Sequence, residues 1–156
     1  MLKNKLTPLY AAIALSFSIP TLAEEDKKSW QVNAPENAPL QQIKIDVTEG
    51  TWMNVSVSPN GKHIVFDLLG DIYQISTDGG EAKPLAKGIA WQMQPVYSPD
   101  GKYIAFTSDE DGGDNIWIME ADGSNPRPVT KETFRLLNSP AWSPDGQYLV
   151  ARKHYT

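Results

Sequence analysis

Apolar residues occur along this chain in short bursts, each closed by Gly, Pro, Asn, Asp or Ser. Tyr103 to Ser108 and Asn115 to Glu120 are rich in β-branched and aromatic residues and read as strands. A short strand is expected around Arg127-Pro128-Val129, at an edge, because proline cannot donate to a ladder. Asn138 to Trp142 opens another. Ahead of these, Gln42 to Val47 alternates strictly between polar and apolar, which predicts a further strand. Alternation is weak elsewhere, as expected of strands covered on both faces. No segment joins helical periodicity to caps, so the expected fold class is all-β.

The pattern repeats. Val57-Ser58-Pro59-Asn60-Gly61-Lys62-His63-Ile64-Val65-Phe66, Tyr97-Ser98-Pro99-Asp100-Gly101-Lys102-Tyr103-Ile104-Ala105-Phe106 and Trp142-Ser143-Pro144-Asp145-Gly146-Gln147-Tyr148-Leu149-Val150-Ala151 align, with their serines 40 and 45 residues apart. A second string, Asp71-Ile72-Tyr73-Gln74-Ile75 with Asp78-Gly79, matches Asn115-Ile116-Trp117-Ile118-Met119 with Asp122-Gly123 at an offset of 44. The step from 40 to 44 is a four-residue insertion between Phe106 and Asn115. In Ser-Pro-Asp-Gly, Pro presets φ, Asp tolerates the third turn position and Gly accepts positive φ at the fourth. A unit of this length with four short strands is the mark of a propeller blade. The expected architecture is a partial β-propeller: two complete four-stranded blades, at about 51–88 and 89–131, and the start of a third at 138–156.

The N-terminus changes the charge. Lys3 and Lys5, an apolar run from Leu9 to Ile19, Pro20, and the small-residue pattern ending at Ala23 predict a signal peptide over 1–23. Residues 24–41, with Pro35 and Pro39, read as an extended tether, and 42–156 as the incomplete propeller. Removing two lysines takes the net charge from −5 to −7. An acidic chain offers no clustered Lys and Arg for nucleic acid or anionic lipid. With no cysteine, stability must come from packing. No second apolar run is long enough to cross a membrane. The expected location is the periplasm or the exterior.

The aromatic, Ser-Pro-Asp-Gly, aromatic-Ile-Ala-Phe string resembles the repeat of the TolB-type (WD-like) propeller family over about 51–156, with departures at Val57 and Asn60. Narrower likenesses are carried by Glu49-Gly50-Thr51-Trp52-Met53, Asp67 to Tyr73, Gly113-Asp114-Asn115-Ile116-Trp117, Phe134-Arg135-Leu136-Leu137-Asn138 and Ala151-Arg152-Lys153-His154. These resemble the propeller that opens certain large exported amidohydrolase-family proteins. The resemblance implies a downstream hydrolase domain holding a divalent metal. It places no catalytic, cofactor-binding or metal-binding residue in this chain.

The chemistry within the chain is sparse. His63 falls where the other repeats have Tyr103 and Tyr148, a packing slot; His154 lies beside Lys153 and Tyr155. There is no His-x-His pair and no His-Glu-x-x-His. Ser58, Ser98 and Ser143 recur as turn residues, without a Gly-x-Ser-x-Gly elbow or a phosphate loop. Asp109-Glu110-Asp111-Gly112-Gly113-Asp114 gathers oxygen ligands suited to a hard cation, but it fails the calcium-loop spacing at Gly113 and Asp114. The plainer reading is a solvated acidic loop. Asp109, Asp111 and Asp114 are the candidate loop-face contacts.

Four antiparallel strands per blade put the Ser-Pro-Asp-Gly and Asp-Gly turns on one face. The other face receives Leu69-Gly70, Ala86 to Gln94, Asp109 to Asp114 and Lys131 to Leu137, which vary between repeats. Three functions fit: the non-catalytic propeller of an amidohydrolase-like protein, which gates substrate or holds a partner; a TolB-type module binding an envelope protein; or the propeller of a prolyl-oligopeptidase-type serine peptidase. Propellers close with about four to eight blades, so the expectation is a fragment of a longer protein, with Gln42 to Val47 completing an absent last blade. The rival expectation is a short chain that closes by oligomerising.

Overall fold

The computed structural model describes residues 31–41 and 43–155, and the predicted signal peptide and residues 24–30 lie outside the described residues. Ten strands follow in order among the described residues: β1 (Val55–Val57), β2 (His63–Leu68), β3 (Asp71–Ser76), β4 (Lys83–Ala86), β5 (Gln92–Tyr97), β6 (Tyr103–Ser108), β7 (Asn115–Glu120), β8 (Arg127–Pro128), β9 (Leu137–Trp142) and β10 (Leu149–Lys153). They form two four-stranded antiparallel sheets, β1–β4 and β5–β8, and a two-stranded sheet of β9 and β10. No helix occurs among the described residues. This is an open, partial β-propeller.

Each repeat begins with the same turn. The Gly61, Gly101 and Gly146 N–H groups donate to the Ser58, Ser98 and Ser143 carbonyls at 2.8, 2.9 and 2.9 Å. The serine hydroxyl donates to the Asn60, Asp100 or Asp145 side chain and accepts from the backbone N–H of His63, Tyr103 or Tyr148 at 2.9 Å. That network uses both functions of the hydroxyl, which is why serine recurs there. The φ of the three glycines lies between 69° and 72°, a region open to glycine at little cost.

The core forms where the first two sheets face each other. Val65 and Ile72 meet Tyr97, Ile104, Phe106, Trp117 and Met119, all at most 7% exposed. Burying each of the larger side chains contributes about 1.5–3 kcal/mol. Polar tethers cross both junctions. The Gln74 amide donates to the Tyr97 hydroxyl at 2.7 Å, and the Trp142 indole N–H donates to the Val96 carbonyl at 3.2 Å.

The inserted residues lie where the repeat arithmetic puts them. The β2–β3 connection is Leu69-Gly70, whereas β6–β7 takes residues 109–114. The strand expected from Gln42 to Val47 does not form: the described residues 43–47 are irregular and exposed, with Ile43 at 78%. A period-two pattern supplies a face but no hydrogen-bond partner, and among the described residues β1 pairs only with β2. Residues 44–50 instead border an open cleft of about 820 Å³ over the first sheet, which the stacked Phe66 and Tyr73 help to line.

Candidate functional site

The turns and the variable loops separate onto opposite faces. On the turn face, first and third turns of one sheet are joined by backbone bonds, Thr77 N–H to the Lys62 carbonyl and Ala121 N–H to the Lys102 carbonyl. A shallow cleft of about 580 Å³ lies there between the first two sheets, beside His63, Lys83, Tyr97 and Asp122. Burial raises the Tyr97 hydroxyl pKa, against the hydrogen bond from Gln74.

On the loop face the variable segments are linked in series. Gln92 N–H donates to the Gly70 carbonyl at 2.8 Å, and Trp91 N–H to the Asp109 carboxylate at 2.7 Å. Leu137 N–H reaches the Asp114 carbonyl at 3.0 Å, and His154 N–H the Leu136 carbonyl at 3.1 Å. Asn115, buried at the start of β7, accepts from the Thr130 hydroxyl and the Glu132 N–H and donates to the Glu132 carbonyl. The segment ahead of the propeller strands joins too, through Val32 N–H to the Glu110 carbonyl at 2.9 Å.

Of the three predicted contact residues, Asp109 is engaged by Trp91 and Asp111 lies 3.4 Å from the Asn115 amide. Burial raises the Asp114 pKa and the nearby charge of Asp109 adds to it, against an opposing pull from His154. Among the described residues, no three His, Cys, Asp or Glu side chains are grouped so as to hold a metal ion. His154 Nε2 lies 3.0 Å from the Asn138 amide. Glu132 is paired with Lys153, and that hydrogen bond, with those from the Phe134 and Arg135 N–H groups, lowers its pKa to about 2. His63 sits half-buried in its strand, at the slot held by tyrosine in the other repeats.

One polar chain on the inner strands was not foreseen from the sequence. Buried Asp67 accepts from Asn54 N–H and Nδ2, both at 2.8 Å, and from Gln94 N–H at 2.6 Å. The Gln94 side-chain Oε1 in turn accepts from the Thr107 hydroxyl at 3.0 Å and from Ser139 N–H at 2.7 Å. Asn54, Gln94 and Ser139 each stand four residues before the turn serine. Gln94 and Ser139 have φ of 57° and 54°, which aims their N–H groups across the sheet junctions. The signal was present as a polar residue at a fixed offset, but the repeat varies its identity. Gln92 Oε1 and Trp117 Nε1 are buried without a partner among the described residues.

No helix among the described residues is long and apolar enough to cross a membrane. The family description "TolB beta propeller domain" matches residues 31–155. An uncharacterised peptidase of Bacillus subtilis, YuxL, is 34% identical over 80 residues, which are 51% of this chain and 12% of that protein. Dipeptidyl-peptidase 5 of Porphyromonas endodontalis is 23% identical over 159 residues, 96% of this chain and 23% of that protein. A solved structure of a TolB candidate from Agrobacterium tumefaciens matches with a TM-score of 0.61 at 30% identity, covering 69% of this chain and 40% of that one. The chain spans 28% or less of the length of the curated relatives it matches.

Proposed function

The chain belongs to the TolB beta-propeller family, and from that premise we propose that it is the non-catalytic propeller segment of a larger exported hydrolase. Its loop face gates or positions substrate, or holds a partner. The observation that carries this reading is the serial linkage of four variable loops on one face, over a scaffold whose turn face is stereotyped.

The companion domain we favour is a metal-dependent amidohydrolase. In support, the segments that carry that resemblance come together: Leu137 and Asn138 pair with Lys153 and Arg152, His154 N–H reaches the Leu136 carbonyl, and Leu137 N–H reaches the carbonyl of Asp114 in the 113–117 segment. Its divalent metal would be held by residues of that companion domain. A second reading, the propeller of a serine peptidase, is favoured by the two peptidase relatives. In a third, the chain is an envelope protein-binding module. Export through a signal peptide cut after Ala23, to the periplasm or beyond, fits all three.

Reading the gene past Thr156 and assaying its full product tests the proposal. The expected result is a His-x-His motif and amide hydrolysis abolished by a chelator. A Gly-x-Ser-x-Gly elbow with phosphonate-sensitive turnover would replace it with the peptidase. Further Ser-Pro-Asp-Gly repeats and a stop would remove the hydrolase altogether.

A further inference from the structure

We propose that the loop face binds a cationic, apolar peptide segment: Trp91 and Leu69 take its aliphatic or aromatic side chains, and the Asp109–Asp114 loop faces its lysine or arginine. The proposal rests on the loop face being the functional one and names the chemistry of its ligand.

Trp91 is fixed yet half exposed. A Cβ on Gly70 would lie 2.8 Å from Trp91 Cε3 and 3.2 Å from Cδ2 and Cζ3, so the indole rests on bare backbone there. The Trp91 backbone N–H donates to the Asp109 carboxylate, and the Gln92 N–H to the Gly70 carbonyl. Even so, 52% of Trp91 remains in water, alongside Leu69 at 70% and Ile89 at 53%. A positioned aromatic with neighbouring exposed aliphatics is the composition of a binding anchor.

The charge beside it selects the partner. Asp109, Glu110, Asp111 and Asp114 stand within six consecutive positions that contain no basic residue. One hydrogen bond joins this loop to the Trp91 backbone, so apolar and acidic surfaces adjoin, and an extended peptide would reach both with side chains two positions apart, which share a face. Half-buried Asp114 carries a raised pKa, partly from the charge of Asp109, so a ligand cation would relieve crowding already present. Toward the third sheet, Lys153 pairs with Glu132 and Arg135 sits 4.6 Å from the Phe134 ring, while the loop face also carries Lys87 and Lys131, and the charge of His154 already acts on Asp114. Indole is also the ring that best accepts a cation.

The test titrates the purified mature chain with a fluorescein-labelled hexapeptide that carries leucine, arginine and leucine at its even positions, on one face when extended, with serine between them. Counterparts carry glutamate for arginine or serine for leucine. The expected result is saturable binding of the leucine–arginine peptide alone, weakened by salt. Trp91→Ala should weaken it about tenfold or more. Asp109→Asn with Asp111→Asn should weaken it and flatten the salt dependence. Leu69→Ser, on an exposed loop, covers the case in which Trp91→Ala fails to fold. Equal binding of the glutamate peptide, no saturable binding, or indifference to Leu69→Ser and the aspartate changes would overturn the proposal. So would self-association of the chain that Trp91→Ala abolishes, since the face would then contact a second copy. Peptide binding with a stop codon soon after Thr156 would sink the hydrolase reading and spare this one. A hydrolase frame with no peptide binding would do the reverse.

Discussion

The first sheet and the third carry the same repeat string but bury it differently. Val65 and Val150 each stand four residues after the turn glycine, one at 0% exposure and the other at 65%. Tyr97 and Val57, both just before the turn serine, are 7% and 56% exposed. The turns, by contrast, are nearly identical: the serine hydroxyl accepts its backbone N–H at 2.9 Å in all three repeats. Turn chemistry is therefore settled within the repeat, whereas a core position becomes a core only when a neighbouring sheet covers it.

The sharpest way to break this comparison is truncation of the core. Phe106→Ala, in the shared core, should cost about 3–5 kcal/mol in urea denaturation. Val65→Ala should cost about 2 kcal/mol, while Val150→Ala, the same change at the same repeat position, should stay within about 0.5 kcal/mol. Similar costs for the two valines would mean that the repeat, not its coverage, fixes the energy.

Turn glycines test the other half. Gly101→Val should destabilise by about 1–3 kcal/mol, because positive φ strains a β-branched residue and a Cβ would lie 3.3 Å from Pro59 Cδ. Gly146→Val, with Pro99 at 3.7 Å, should cost about 1 kcal/mol. Thermal melts that match the parent would deny the turn its role.

Two carboxylates on the loop face sharpen the comparison through pH. The Glu132 pKa is lowered, so its pairing with Lys153 stabilises the fold above the ordinary glutamate range and is lost as pH falls toward about 2. Glu132→Gln should melt lower than the parent at neutral pH, and the gap should close on acidification through that window. Asp114 has the opposite sign. Its raised pKa means that ionisation opposes folding, so the penalty is present above its folded pKa and disappears below the ordinary aspartate range. Asp114→Asn should raise the melting temperature slightly at neutral pH and converge with the parent in acid. A gap independent of pH in either variant would contradict its assignment.

The parts legible in the sequence were those decided locally. The strand spans from Tyr103 to Trp142 and the insertion before Asn115 followed from turn chemistry and residue spacing, as did positive φ at Gly101 and Gly146. Gln42 to Val47 misled because alternation describes side chains, while a strand also needs an edge to pair with. The site was legible only as a set of loops. That Asp109 would hold the Trp91 backbone, or Asp67 the Gln94 N–H, depends on contacts 18 and 27 residues apart in sequence, the second of them between repeats, which no local string encodes.

Hydrogen–deuterium exchange of the purified mature chain, resolved by strand, tests the central claim most directly. Coverage by neighbouring sheets predicts the slowest amides in β6 and β7, intermediate protection in β2 and β3, and fast exchange in β10. Protection of β10 equal to that of β6 would contradict it.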